Sequence, residues 1–236
     1  MEADKKIIIA LDTPREKEAL YLARTLLPQV SYFKVGLELF CSCGPGIVYR
    51  LKEMGASIFL DLKFHDIPRT TAGAAGAALK MGVDMINVHI SGGGEMVAKT
   101  VEHLKKIAEP GQKIPLVLGV TVLTSLSEES LYRELGINRP MWQQVEELAV
   151  LGQQKGLGGV VVSPREAAKV RERCGPGFLI VTPGVRPLWA GRQDQKRVMT
   201  PADALQAGAD YLLIGIPVTG ADSPAKALAK ILQEIP

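Results

Sequence analysis

Lysine and aspartate residues alternate at the end of one apolar segment, in an arrangement suited to proton transfer. The segment Ser57–Lys63 ends in Asp61 and Lys63, and Asp66 follows three residues later. If the segment is a strand, its two-residue period places Asp61 and Lys63 on one face. Burying an unpaired charge is costly, so such charges indicate either a structural ion-pair network or a functional site.

Two more charged residues end or interrupt neighbouring apolar segments. Asp12 ends the first segment, and Lys34 lies within the second. Four charges on three successive segments favour a functional site. Two unit charges about 4 Å apart interact by about 4 kcal/mol at an effective dielectric constant near 20. An alternating array of this kind can hold an ammonium group as a proton donor and can stress a substrate carboxylate beside an aspartate. Neither role needs a metal ion.

Eight short apolar segments alternate with helical patterns along the chain. Most are apolar at successive positions, which is typical of parallel strands buried on both faces. The predicted strands are Ile7–Asp12, Tyr32–Leu39, Ser57–Lys63, Met85–Ile90, Pro115–Val122, Gly159–Ser163, Phe178–Pro183 and Tyr211–Ile216. Predicted helices between them include Pro14–Leu27, Gly44–Met54, Thr70–Met81 and Glu95–Ala108.

Four predicted helices end at a glycine just before a strand, as expected for a left-handed helix cap: Gly55, Gly82, Gly156 and Gly208. Eight strand–helix units fit the 236 residues at about 30 residues per unit. We therefore predict an α/β fold, a (β/α)8 TIM barrel that forms a single domain over residues 1–236. A doubly wound open sheet is the alternative.

Two predicted loops that follow strands are unusually long. They are Thr124–Pro140 and Gly184–Met199. In a barrel of this kind such loops lie at the carboxyl ends of the strands, where active sites are found. Both loops are therefore candidate lids.

Composition excludes several classes of protein. With 28 Lys and Arg against 25 Asp and Glu, the net charge of +3 is too small and too scattered for a nucleic-acid-binding surface. The longest apolar run, Pro115–Leu123, is far below the roughly 18 residues that span a membrane. The three cysteines form no zinc-binding pattern, which favours reduced thiols. We expect a cytoplasmic protein without a nucleic-acid or membrane partner.

Several segments resemble, in order along the chain, those of the orotidine 5'-monophosphate decarboxylase family. They are IALD, FKVG, DLKFHDIP, TPGVRP and DQKRVMTP. The pattern DxKxxD is shared with a wider group of decarboxylases and aldolases, whereas FHDIP, PGVRP and DQKRVMTP are specific. The resemblance implies cofactor-free conversion of orotidine 5'-monophosphate to uridine 5'-monophosphate and CO2, the last step of de novo pyrimidine synthesis.

The resemblance also assigns roles to a tetrad of charged residues, Lys34, Asp61, Lys63 and Asp66. Lys63 would protonate C6 of the pyrimidine as the carboxylate leaves, and Asp61 would lie near that carboxylate. Asp66 would reach the active site of the neighbouring subunit, which implies a homodimer with shared sites. Asp12 and Lys34 would contact the ribose hydroxyls.

Four further residues match substrate-binding positions of the family. Thr70 would also reach across the dimer interface, and Thr124 would hold the pyrimidine. Arg186 and Gln195 would grip the phosphate from the loop after the seventh strand.

One position departs from the family pattern. After the last strand the family reads Gly-Arg-Pro, whereas this chain reads Gly215-Ile216-Pro217. Isoleucine cannot make the bidentate, charge-assisted contact of an arginine with a phosphate. Backbone N–H groups near Gly184 and Gly215 remain as phosphate donors. We expect a weakened enzyme rather than an inactive one.

Two other functions remain open. One is a magnesium-dependent sugar-phosphate decarboxylase or aldolase of the wider group, which a chelator would inhibit. The other is a nucleotide-binding protein without activity, which Ile216 suggests and the complete tetrad opposes.

Overall fold

Strands and helices alternate throughout the structure, a computed structural model that describes residues 6–190 and 199–235. The strands are β1 (Ile7–Ala10), β2 (Tyr32–Gly36), β3 (Ser57–Phe64), β4 (Met85–His89), β5 (Leu116–Val120), β6 (Gly159–Val161), β7 (Leu179–Pro183) and β8 (Tyr211–Ile214). All neighbouring pairs are parallel, and β8 pairs with β1 to close the barrel. The predicted (β/α)8 barrel is thus confirmed, and the open sheet is excluded.

Helices connect successive strands. They are α1 (Glu16–Leu26), α2 (Leu37–Cys43), α3 (Gly46–Glu53), α4 (Pro68–Lys80), α5 (Gly94–Ile107), α6 (Glu128–Arg133), α7 (Met141–Gln154), α8 (Pro164–Cys174), α9 (Pro201–Gln206), α10 (Ile216–Thr219) and α11 (Pro224–Gln233). The four predicted cap glycines all have positive φ angles, as expected at these turns. None of the helices within the described residues is long and apolar enough to cross a membrane.

Six predicted strands extend past the observed strand ends, and two of them run into the α-helix that follows. The second was predicted to reach Leu39, but β2 ends at Gly36 and α2 begins at Leu37. The last was predicted to reach Ile216, which instead begins α10. Leu39 is fully buried although it is helical. An apolar run alone does not distinguish a buried strand from a buried helix, which explains the error.

The barrel interior has an apolar layer to which alternate strands contribute. Ile8 of β1, Phe59 of β3, Leu118 of β5 and Val181 of β7 belong to one buried cluster, together with Met85 of β4. A second and larger core joins the outer faces of the strands to the helices. The inner layer fills the barrel below its carboxyl end, the end at which the active sites of such barrels lie.

Aspartate side chains join adjacent strands at the opposite, amino-terminal end. Asp84, just before β4, accepts hydrogen bonds from the Ile58 backbone N–H at 2.9 Å, Lys52 Nζ at 2.9 Å and Lys113 Nζ at 2.8 Å. Burial alone would raise the pKa of Asp84, but the bonds from Lys113, Lys52 and Ile58 outweigh it, so its pKa lies below the usual value. The ionised carboxylate therefore stabilises the fold.

We predict that Asp84→Asn lowers the free energy of unfolding by about 1–2 kcal/mol at pH 7, because the charged acceptor of two lysines is lost. Since the folded-state pKa of Asp84 is depressed, its contribution is present above about pH 4 and disappears as the pH falls through the folded-state value. Urea unfolding of both proteins should therefore give a difference that shrinks below about pH 4. The same change at the exposed Asp222 should have little effect. A difference independent of pH would contradict this account.

Candidate active site

Four charged side chains meet at the carboxyl ends of β1, β2 and β3. Lys34 Nζ donates a hydrogen bond to Asp12 Oδ1 at 2.6 Å and lies 3.6 Å from Asp61 Oδ2. Lys63 Nζ donates to Asp61 Oδ1 at 2.7 Å. Asp12, Lys34, Asp61 and Lys63 thus alternate in charge, and we call them the lysine–aspartate cluster. The cluster has the arrangement that can hold an ammonium group as a proton donor.

The inner members of this cluster are buried, and the outer members face the solvent. The side chains of Lys34 and Asp61 are each 8% exposed, against 54% for Asp12 and 31% for Lys63. Burial alone would raise the pKa of Asp61, but the charges of Lys34 and Lys63, with hydrogen bonds from Lys63 and Asn87, outweigh it. The pKa of Asp61 therefore lies below its usual value, and the carboxylate is ionised at neutral pH.

Gly36 makes room for the cluster, a role that the sequence analysis missed. A Cβ atom at this position would lie 2.7 Å from Lys34 Nζ and 3.6 Å from Asp12 Oδ1. Gly36 lies two residues after Lys34 in β2, so the strand period puts both on one face. That spacing was the available signal, since a glycine within a strand often marks a close approach.

The end of β3 is irregular where it carries Lys63. Leu60 pairs with Ile86 and Phe64 with Val88, so four residues of β3 occupy the length of two residues of β4. Lys63 has a φ angle of 50°, which is rare for a residue with a side chain. The predicted meeting of Asp61 and Lys63 does occur, but across a bulge rather than along a regular strand.

Asn87 connects both of these residues, and the sequence analysis did not identify it. Its side chain is fully buried in β4. Asn87 Nδ2 donates to Asp61 Oδ1 at 2.6 Å, and Asn87 Oδ1 accepts from the Lys63 backbone N–H at 2.8 Å. One amide within the otherwise apolar start of the strand, MINV, was the signal in the sequence.

A cavity of about 170 Å³ adjoins the cluster, and Asp12 and Lys34 form one of its walls. The loops after β7 and β8 supply another wall, which includes Gly184, Arg186, Gly215 and Ile216. Arg186 is 8% exposed, whereas Ile216 is 47% exposed. The cavity therefore joins the charged cluster to the position where the family pattern is broken.

The base of the loop after β7 is held closed. Val185 forms an isolated bridge with Met199, and the Arg186 backbone N–H donates to Met199 O at 2.9 Å.

Gln195, predicted to bind phosphate, lies outside the described residues. The other predicted lid, Thr124–Pro140, contains helix α6, and Thr124 lies half-buried after β5.

Asp66 and Thr70 are not part of the cluster within this chain. Both are exposed, on either side of the start of α4. Asp66 Oδ1 accepts a hydrogen bond from the Ile67 backbone N–H at 2.6 Å. Within the described part of the chain, Asp66 makes no ion pair with Lys34 or Lys63. Within this chain Asp66 therefore lies apart from the other three residues of the predicted tetrad.

The carboxylates of the cluster are occupied by ammonium groups. Asp12 accepts from Lys34, and Asp61 accepts from Lys63. In residues 6–190 and 199–235, no three His, Cys, Asp or Glu side chains are grouped so as to hold a metal ion.

Comparisons with known proteins give a consistent result. Residues 5–231 match the sequence profile of the family described as Orotidine 5'-phosphate decarboxylase / HUMPS. The orotidine 5'-phosphate decarboxylase of Geobacter sulfurreducens is 51% identical over 99% of this chain and 97% of its own length. That of Moorella thermoacetica is 50% identical over 100% of this chain and 94% of its own. The crystal structure of the Lactobacillus acidophilus enzyme superposes with a TM-score of 0.87 at 36% identity, covering 98% of this chain and 99% of that one.

Proposed function

Because the chain belongs to the orotidine 5'-phosphate decarboxylase / HUMPS family, we propose that it converts orotidine 5'-monophosphate to uridine 5'-monophosphate and CO2 in de novo pyrimidine synthesis. The enzyme is a carboxy-lyase. The observation that carries the proposal is the lysine–aspartate cluster at the carboxyl end of the barrel. Lys63 Nζ lies there 2.7 Å from Oδ1 of an ionised Asp61. Two other members of the cluster, Asp12 and Lys34, line a cavity that continues to Arg186.

Lys63 is the proton donor of the proposed reaction. The bond between C6 and the substrate carboxylate breaks, CO2 leaves, and the electron pair stays on C6. The Lys63 ammonium then transfers a proton to C6 and becomes neutral. Asp61 orients that ammonium through the bond to Oδ1 and repels the carboxylate that leaves. Fixed charges that favour the developing carbanion supply the rate enhancement, so no cofactor takes part.

The rest of the nucleotide extends along the adjoining cavity. Asp12 and Lys34 bind the ribose hydroxyls, and Thr124 holds the pyrimidine. Arg186, with Gln195, grips the phosphate. Both Asp12 and Arg186 line the cavity, which supports this direction of binding.

Backbone N–H groups near Gly184 and Gly215 complete the proposed phosphate site. Ile216 stands there in place of the family arginine, and its exposed apolar side chain provides no donor to the phosphate. Phosphate binding is therefore weaker than in a relative with the arginine.

A second subunit completes the active site. Asp66 and Thr70 are exposed, and Ile67 between them is a large apolar residue that is 64% exposed. Exposed apolar surface beside functional residues is typical of an interface. In the proposed homodimer Asp66 and Thr70 reach the partner's site.

We further propose that residues 1–236 form one domain and that the enzyme is cytoplasmic, with no membrane or nucleic-acid partner.

The ultraviolet absorbance of orotidine 5'-monophosphate tests the reaction directly. Chelator-treated wild-type protein should consume the substrate, and Lys63→Ala should lose essentially all turnover because the proton donor is gone. Loss of activity on chelation would favour a magnesium-dependent enzyme of the wider group. Tight binding of uridine 5'-monophosphate without any turnover would favour a nucleotide-binding protein.

Ile216→Arg tests the phosphate site. A new charge-assisted contact contributes about 1.5–3 kcal/mol, so kcat/KM for the nucleotide should rise roughly 10- to 150-fold. Turnover of orotidine, which lacks the phosphate, should change less than about twofold. Ile216→Met keeps an uncharged side chain of similar size and should leave both substrates unaffected. Equal gains on nucleotide and nucleoside would refute this role for position 216.

Mixed dimers test whether Asp66 acts across the interface. Lys63→Ala and Asp66→Ala subunits, each inactive alone, should regain up to about one quarter of wild-type activity when mixed equally and allowed to exchange, since half of the dimers then contain one intact site. Lys34 and Lys63 both contact Asp61 of their own chain. A mixture of Lys34→Ala with Lys63→Ala is therefore the matched control and should stay inactive. No recovery in the first mixture would place Asp66 in its own subunit's site.

A further inference from the structure

The buried amide of Asn87 joins the two residues on which proton transfer depends. We propose that Asn87 is a positioning residue that fixes the Lys63 backbone and the Asp61 carboxylate relative to each other, and so directs the Lys63 ammonium at its target. The inference rests on the function proposed above and adds to it a residue of β4, a strand that supplies no member of the lysine–aspartate cluster.

The three hydrogen bonds involved form a closed ring. Asn87 Oδ1 accepts from the Lys63 backbone N–H, and Asn87 Nδ2 donates to Asp61 Oδ1. The same Asp61 oxygen accepts from Lys63 Nζ. The Lys63 ammonium therefore binds this carboxylate oxygen directly, and the Lys63 backbone is linked to the same oxygen through the Asn87 amide.

The two partners also fix the orientation of the amide. A backbone N–H can only donate, so it must face Oδ1 of Asn87. The ionised Asp61 can only accept, so it must face Nδ2. An amide is the group that meets both requirements without adding charge. Leucine would meet neither, and aspartate would set a second anion against Asp61.

The backbone at Lys63 needs a partner outside the regular strand ladder. The pairing of β3 with β4 breaks between Leu60 and Phe64, and Lys63 adopts a φ angle of 50° inside that break. A residue with a side chain is held in this region only when its surroundings fix it there. The hydrogen bond to Asn87 Oδ1 is such a constraint.

The groups around Asn87 make the position sensitive to charge. Asp61 and Lys63 face it from β3, Lys34 contributes its charge from β2, and His89 follows two residues later on the same strand. The β5 residue paired with Asn87 is the apolar Leu118. An added carboxylate here would therefore compete directly with Asp61 for protons and for Lys63.

Two variants separate positioning from general structure. Asn87→Leu removes both hydrogen bonds and should lower kcat at least ~100-fold while KM changes less than ~3-fold. Asn87→Asp keeps the acceptor for Lys63 but replaces the donor with an anion. Its kcat should also be low at pH 8. As the pH falls toward 6, its kcat relative to wild type should recover at least ~10-fold, because a protonated carboxyl can donate to Asp61.

Thr182→Val is the matched control. Thr182 is fully buried in β7, and its hydroxyl has no hydrogen-bond partner within the described residues. Its substitution removes a buried polar group of the barrel wall and should leave kcat within about twofold of wild type.

Several outcomes would overturn the positioning role. One is an Asn87→Leu protein with kcat within ~3-fold of wild type, and another is an Asn87→Asp to wild-type ratio that stays constant from pH 6 to 8. If Asn87→Leu fails to fold by circular dichroism, the pH dependence of the Asn87→Asp ratio decides alone.

An inactive wild-type protein would instead refute the proposed function. In that case hydrogen exchange decides the role of Asn87 separately: the Lys63 amide should exchange at least ~10-fold faster in Asn87→Leu, which lacks its acceptor, and unchanged exchange would overturn the role.

Discussion

The constraint on which this site depends is the burial of an ammonium group and a carboxylate at the mouth of a closed barrel. Removing either charge from water costs several kcal/mol, and their attraction offsets that cost only when the geometry is good. The strand register provides the geometry. Ala10 pairs with Lys34, and Gly36 pairs with Asp61, so three parallel strands bring the charges to one level. Gly36 then leaves the space that the Lys34 ammonium occupies.

Charged groups serve different purposes at the two ends of the barrel. At the amino-terminal end Asp84 and Asp210 each accept a backbone N–H from a neighbouring strand, those of Ile58 and Ile180, and each also binds a basic side chain. These carboxylates hold neighbouring strands together. At the carboxyl end the charges border a cavity instead. The apolar layer around Phe59 and Leu118 separates the two ends, so a change in the charges at one end need not disturb those at the other.

Much of this arrangement could be predicted from the sequence, because it follows from periodicity. The apolar runs placed all eight strands, and the glycines placed the turns before four of them. The charged residues of the cluster stood out against apolar surroundings. The missed features are those that break periodicity or depend on contact: the bulge at Lys63, the space at Gly36 and the two-sided role of Asn87. A sequence pattern gives the face of a strand but not the distance between atoms that different strands bring together.

Different strands build the two ends of the cavity. This separation bears on the departure from the family pattern at Ile216, where an isoleucine replaces the family arginine. The cluster comes from β1, β2 and β3 and is held by β4. The phosphate end in the proposed function comes from the loops after β7 and β8, where Arg186 is buried and Ile216 is exposed. Binding energy gained far from the reacting bond can be used to lower its barrier. A weaker phosphate end would therefore reduce the rate while the geometry around Lys63 stays intact, which is why an isoleucine at position 216 is compatible with a complete lysine–aspartate cluster.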